Sequence, residues 1–209
     1  MKIISYVIRR DYGFAPNPFF GYCTLATCKP DIRKSAMIGD WVIGTTSAST
    51  GSINNLVFAM KITEKLTFDE YWHDERFFNK RPVLNRSRKY QYGDNIYHQE
   101  DSGWIQIPSH HSEEDGSINY RNVNTDTKNE NVLISDHFYY FGKNSIPIPV
   151  DLLEIVKKGP GCKYVDNALH NRFLVDFLQS YPLGINGTPF AWKDLHLNKD
   201  PQLDFIFNF

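Results

Sequence analysis

The sequence predicts an α+β fold: a mixed, largely antiparallel sheet with C-terminal helices packed on it. Three observations carry this. Strand-length runs of β-branched and aromatic residues recur along the first two-thirds of the chain, separated by Gly, Asn and Asp turns. Helical spacing of apolar residues is clearest late, in Leu169, Phe173, Leu174, Phe177 and Leu178. A length of 209 residues, 41% of them hydrophobic, gives one core but is short for two ordinary domains, so 1–209 reads as a single domain.

Taken in order, Lys2 to Arg9 reads as a strand. It runs into a long stretch broken by Gly13, Pro16, Pro18, Gly21 and Pro30, too punctuated for a regular element and too aromatic for disorder. Asp31 to Ala36 suits a short helix. Ile38 to Gly44 is a Gly-Asp turn entering a buried strand. After the turn-rich residues 45–55, Leu56 to Thr63 forms the next strand of a hairpin or meander. Thr67-Phe-Asp-Glu70 fits a capping box that opens a short helix through Trp72. Residues 73–93 are polar and basic, a solvated excursion or a phosphate-facing loop. Gly93-Asp94 looks like a second turn into a strand. Residues 109–131 are acidic and Asn-rich and read as a mobile loop, after which Val132 to Gly142 is a strand. Val150 to Lys158 and Val165 to Ser180 are the expected C-terminal helices.

Charge narrows the partners. A net charge of −1 and a pI near 6.6 give no global basic field, which disfavours a protein that grips long DNA by its phosphates. A small ligand, a single base or a short strand fits better. The aromatic share of 15% supplies core, and also flat surfaces on which bases stack. Three cysteines are too few for a disulfide framework, and no apolar run reaches membrane-spanning length, so a cytoplasmic location is expected.

The candidate site lies in the broken stretch from Arg9 to Pro30. There Arg10 and Asp11 form a fork of donors and acceptors beside rigid Gly and Pro. Phe14 is a stacking surface, and Asn17 can read the hydrogen-bonding edge of a base. Arg10, Lys29 and Arg33 would meet phosphate or a base edge. The bland alternative is a structured loop whose Arg10 and Asp11 satisfy each other. Cys28 is a candidate nucleophile with Lys29 or Arg33 beside it, although a small cysteine is more often packing. Cys23 and Cys28 alone make a weak zinc pattern, and no histidine shows metal-ligand spacing, so no metal or cofactor is expected. Among the histidines, His98 and the pair His110-His111 are candidate general bases. No phosphate-binding loop motif occurs, and Pro160 weakens the one approximation at Gly159-Pro-Gly-Cys-Lys163.

The stretch YVIRRDYGFAPNPFFGYCTLATCKPDIRKSAMIGDWVIG resembles the second nucleotide-modification-associated domain family of phages and bacteria. The likeness extends through LVFAMKITEKLTFDEYW, GDNIYH and VLISDHFYYFG. It implies an association with DNA-base modification and phage defence, with no set reaction. A fainter resemblance, in IGDWVIGTTS followed by LVFAMKITEKLTFDEYW, is to the PUA-like pseudobarrel of EVE and YTH modules. That likeness implies a flipped base held in an aromatic pocket, with Trp41 and Phe14 stacking and Asn17 reading. The leading expectation is therefore a binding module for a nucleotide or modified base, free or in DNA or RNA. The alternatives are an enzyme with Cys28 or His98 reacting and Asp11 orienting, and a protein-interaction module acting on a host or phage factor.

Overall fold

A computed structural model describes residues 1–47, 52–165, 169 and 172–192. Its strands are β1 (Ile3–Ile8), β2 (Cys23–Leu25), β3 (Trp41–Thr46), β4 (Asn55–Lys61), β5 (Glu64–Thr67), β6 (Tyr97–Glu100), β7 (Gly103–Gln106), β8 (Asn131–Ser135), β9 (His137–Tyr140), β10 (Ile146–Pro147), β11 (Cys162–Val165) and β12 (Gly184–Ile185). The α-helices are short: α1 (Pro30–Ser35), α2 (Phe68–His73), α3 (Arg88–Gln91) and α4 (Tyr120–Asp126).

The main sheet runs β11-β1-β3-β4-β9-β12, with β10 added to β4. Only β1 with β3 and β12 with β9 are parallel, so the sheet is mixed and largely antiparallel, as expected. A second sheet runs β2-β8-β5, and β6 and β7 form a separate hairpin. One ribbon joins the first two sheets. β4 pairs β9 in the main sheet, and their continuations β5 and β8 pair in the second, so the ribbon bends at Asp136 from one to the other. The expected single strand from Val132 to Gly142 is thus two strands serving two sheets.

Alternation across the pleat divides the core. Ile3, Trp41, Ile43, Ala59 and Tyr139 face one side of the main sheet, where Leu152, Ile155, Phe173, Phe177 and Leu178 cover them. Ile4, Tyr6, Val42, Phe58, Met60 and Tyr140 face the other, against Leu25, Ile32 and Leu133. Both faces of β1 are therefore covered, which is why its sequence is a nearly continuous apolar run. Full burial of a side chain such as Phe58 or Ile4 contributes about 1.5–3 kcal/mol. At Gly44, a Cβ would lie 2.3 Å from the Phe58 ring and 2.4 Å from Ile8, so only glycine lets β3 approach its neighbours there. A third cluster, including Phe68, Tyr71, Phe77, Tyr97 and Val123, lies around the second sheet and α2.

Several expectations change. The capping box is present, with Thr67 Oγ1 accepting from the Glu70 N–H and Glu70 accepting from the Thr67 N–H. The described parts of the expected C-terminal helices take other forms, and residues 166–168, 170 and 171 of the second lie outside the described residues. Val150–Ile155 is a 3-10 helix, Cys162–Val165 is strand β11, and Arg172–Phe177 forms a π turn followed by a 3-10 turn at Leu178–Ser180. The apolar spacing marks residues that do cover the sheet, but Val165 is taken by pairing with Ile3, which ends any helix there. No closed barrel occurs among the described residues, where the main sheet ends at β11 on one side and β12 on the other. The 109–131 segment contains α4. No helix of the described residues is long and apolar enough to cross a membrane.

Candidate functional site

The broken stretch after β1 folds back on the sheet ends and is held there by buried polar groups. Asp11 accepts the single Tyr140 O–H, which lies 2.7 and 2.6 Å from its two oxygens, and Oδ1 also accepts from the Gly13 N–H at 3.0 Å. Burial pushes its carboxyl pKa up. Asn17 is fully buried: Nδ2 donates to the Tyr92 carbonyl, and Oδ1 accepts from Phe19 N–H and from Lys80 Nζ. Lys80, itself buried, also donates to the carbonyls of Asn17 and Tyr22, so its three N–H donors meet three acceptors. Burial draws its pKa down to about 8. Asp94 completes this cluster by accepting from Thr24 and Tyr71 at 2.7 and 2.8 Å. Asp11 and Asn17 therefore spend their polar groups on the fold.

The same stretch then presents Cys28 on the turn between β2 and α1. Cys28 and Lys29 both adopt left-handed backbone, with φ of 57° and 43°. Non-glycine residues there cost of order 1–3 kcal/mol each, which surrounding contacts must offset. Arg33 supplies them. Its buried guanidinium donates through Nε to the Cys28 carbonyl, through Nη1 to Asn129 and Asn131, and through Nη2 to Asp126. Burial lowers its pKa to about 10, still cationic at neutral pH. Arg33 thus clamps the Cys28 turn to the end of α4.

That clamp aligns three side chains. Cys28 Sγ lies 3.6 Å from His111 Nε2, and His111 Nδ1 lies 3.0 Å from Asp126 Oδ2. Asp126 is fixed on both oxygens: Oδ1 accepts from the Cys28 N–H at 2.8 Å, and Oδ2 accepts from the Tyr97 hydroxyl at 3.0 Å. The His111 carbonyl accepts from Gln106 and Asn122. Burial pulls the His111 pKa down, but the bonds and charges of Asp126 and Cys28 outweigh it and raise it to about 9. Its neighbour His110 goes the other way, to about 4, through burial and then the charges of His111 and Arg10. Adjacent histidines therefore hold opposite protonation states at neutral pH. As metal donors, Cys28 and His111 Nε2 share one side, but the Asp126 oxygens are engaged by the imidazole, the tyrosine and the Cys28 amide. The arrangement is a relay, and fits a three-donor metal site poorly.

The relay opens into a cleft of about 1260 Å³. Arg9, Arg10, Lys29, Lys157 and Lys158 line it, and among the described residues no carboxylate does. In a chain of net charge −1, that is a local concentration of positive charge. Tyr6 lines the wall beneath Lys29, whose Nζ is 4.9 Å from the ring centre, and its buried hydroxyl has no hydrogen-bond partner among the described residues. Phe14 braces both imidazoles, with ring centres 5.4 and 4.6 Å from His110 and His111. The Gly159-Pro160-Gly161 turn forms part of the rim.

Of the residues singled out in the sequence, Arg10, Phe14, Cys28 and Lys29 come together in the cleft. Arg33, Asp11 and Asn17 stand behind it as supports. Trp41 packs on the opposite sheet face near Tyr139 and His137, so Trp41 and Phe14 do not form one aromatic pocket. His98 stacks on Trp72 at 4.1 Å and meets Glu100, away from the cleft lining. Asp126 was missed, and His111 was only one of several loop histidines. They lie 98 and 83 residues from Cys28, and no spacing rule links them.

The chain belongs to the family described as nucleotide modification associated domain 2, whose profile matches residues 1–196. It is thus a domain associated with nucleotide-modification systems. No curated protein and no solved structure matches it.

Proposed function

We propose that the protein binds a nucleotide in the basic cleft and acts on it through Cys28. The observation that carries this reading is the Cys28–His111–Asp126 relay opening into a cleft lined, among the described residues, by five cations and no carboxylate. A cationic imidazole against a cysteine, itself oriented by a carboxylate, is the arrangement in which sulfur serves as a nucleophile. Family membership supports a nucleotide as the ligand. The phosphate meets Arg10, Lys29 and Lys158. The Cys28 thiolate adds to an electrophilic carbon of the ligand. As the S–C bond forms, a π bond of that carbon opens, and the displaced electron pair takes the proton from His111 Nε2. His110, neutral, stays available as an acceptor beside it.

The test is alkylation of Cys28 by iodoacetamide, followed by mass spectrometry of the Cys28 peptide. Nucleotides added singly should slow the modification, and the effective ones should add their mass to Cys28 in the native protein and leave Cys28→Ser unmodified. Asp126→Asn should slow alkylation at pH 7 by about tenfold through loss of the oriented imidazolium. A Cys28 whose alkylation no nucleotide slows would overturn the reading.

A further inference from the structure

We propose that the substrate is a single strand of nucleic acid, and that it reaches the cleft across the face formed by residues 81–92 and Phe20. This rests on the cleft being the nucleotide site. From Phe77 to Gly93 the chain carries Lys80, Arg81, Arg86, Arg88 and Lys89 and no acidic residue. Lys80 is consumed in the buried cluster, but Arg86 and Lys89 are exposed. These cations sit on aromatic rings: Arg81 over Trp72 at 3.8 Å and Phe78 at 4.4 Å, Arg86 over Tyr90 at 4.0 Å, Lys89 over Phe20 at 5.7 Å.

From that patch a continuous path of rings leads to the relay. Tyr90 meets Phe20 at 4.8 Å, and Phe20 meets Phe19. Phe19 stacks on Trp192 at 5.4 Å, Trp192 on Tyr92, and Tyr92 on Tyr12 at 5.2 Å. Tyr12 then reaches His110 at 4.5 Å, inside the cleft. Tyr90, Phe20, Trp192, Tyr92 and Tyr12 are all partly exposed. Phe20 holds a left-handed backbone, φ 62°, unusual for an aromatic residue.

Rings interleaved with cations are the chemistry of single-strand binding: phosphates meet Arg86 and Lys89 while unpaired bases stack on ring faces. A duplex keeps its bases inward and would use only the charges. A free mononucleotide would sit within the cleft and leave this face unused.

Fluorescence anisotropy with labelled single-stranded oligonucleotides of increasing length, and of a matching duplex, tests this. Affinity should grow with length, exceed that for the duplex, and fall by about tenfold or more in Arg86→Glu/Lys89→Glu, with a shallower salt dependence. Arg86→Gln/Lys89→Gln provides a milder pair should charge reversal disturb folding. The long oligonucleotide should also protect Cys28 from iodoacetamide. If a mononucleotide protects Cys28 as well as a long strand does, and length adds no affinity, the cleft reading stands and this proposal falls. Length-dependent binding that leaves Cys28 unprotected, or unchanged binding by both double variants, overturns it as well.

Discussion

Two polar clusters are built from the same broken stretch, and they differ in one respect. The Lys80–Asn17–Asp94 cluster is closed: its ammonium has three acceptors, its carboxylate has two hydroxyl donors, and all three residues are buried. The Cys28–His111–Asp126 cluster is closed at Asp126 and open at Cys28, where Sγ and Nε2 face the cleft. The comparison teaches that a buried polar network is structural or chemical according to where it ends. One that exhausts its partners holds loops together. One left with an unspent pair at a solvent boundary can act on a ligand.

The comparison can be broken first at its closed member. Lys80→Met removes the donor that joins three loop acceptors and the cation nearest the buried Asp94; the Asn17 carbonyl and Oδ1 keep only their bonds from the Thr24 and Phe19 N–H, and the Tyr22 carbonyl loses the lysine. The substitution should destabilise the protein by about 3–5 kcal/mol in urea unfolding. If the loss is under about 1 kcal/mol, the closed cluster is not what holds the stretch in place.

The open member should show itself through pH. The folded His111 pKa is raised from 6.5 to about 9, so its protonation stabilises the fold fully below about pH 6.5. That contribution disappears as pH rises through 9, and amounts to roughly 3 kcal/mol. His111→Gln should therefore be less stable than the native protein at pH 6, with the gap closing by pH 9 or a little above. A gap independent of pH would mean that the imidazole is neutral in the fold.

The smallest effect belongs to His98. Its loss removes the stack on Trp72, about 1 kcal/mol. His98→Ala should leave the rate of Cys28 alkylation unchanged. A rate that fell as in Asp126→Asn would remove the distinction between His98 and the relay.

What was legible in the sequence follows from what is local. β1, β3, β4, α1 and the Thr67 capping box are readable because short, nearly continuous apolar and β-branched runs, a Pro-led turn and a four-residue hydrogen-bonding pattern declare themselves within a few residues. The end of the chain misled because Phe173, Phe177 and Leu178 are spaced for one helical face, whereas pairing of Cys162–Val165 with β1 is decided by residues near the N-terminus. The site divides in the same way. Arg10, Phe14, Cys28 and Lys29 share one stretch and were found together. Arg33 was taken for a ligand contact because sequence gives its charge and not its burial. Asp126 sits in a segment that looks mobile, and only the fold of α4 against Tyr97 and Arg33 gives it a role.

The two edges of β1 have different histories in a growing chain. One edge pairs in parallel with β3, which is synthesised a few dozen residues later. The other edge pairs Ile3 with Val165, so it stays unpaired until the chain has been synthesised past Val165. For that interval an apolar strand offers bare N–H and C=O groups to any neighbouring chain. Production of this protein should therefore respond to translation rate and temperature more than its finished stability suggests, with slower synthesis at high expression widening the window for aggregation.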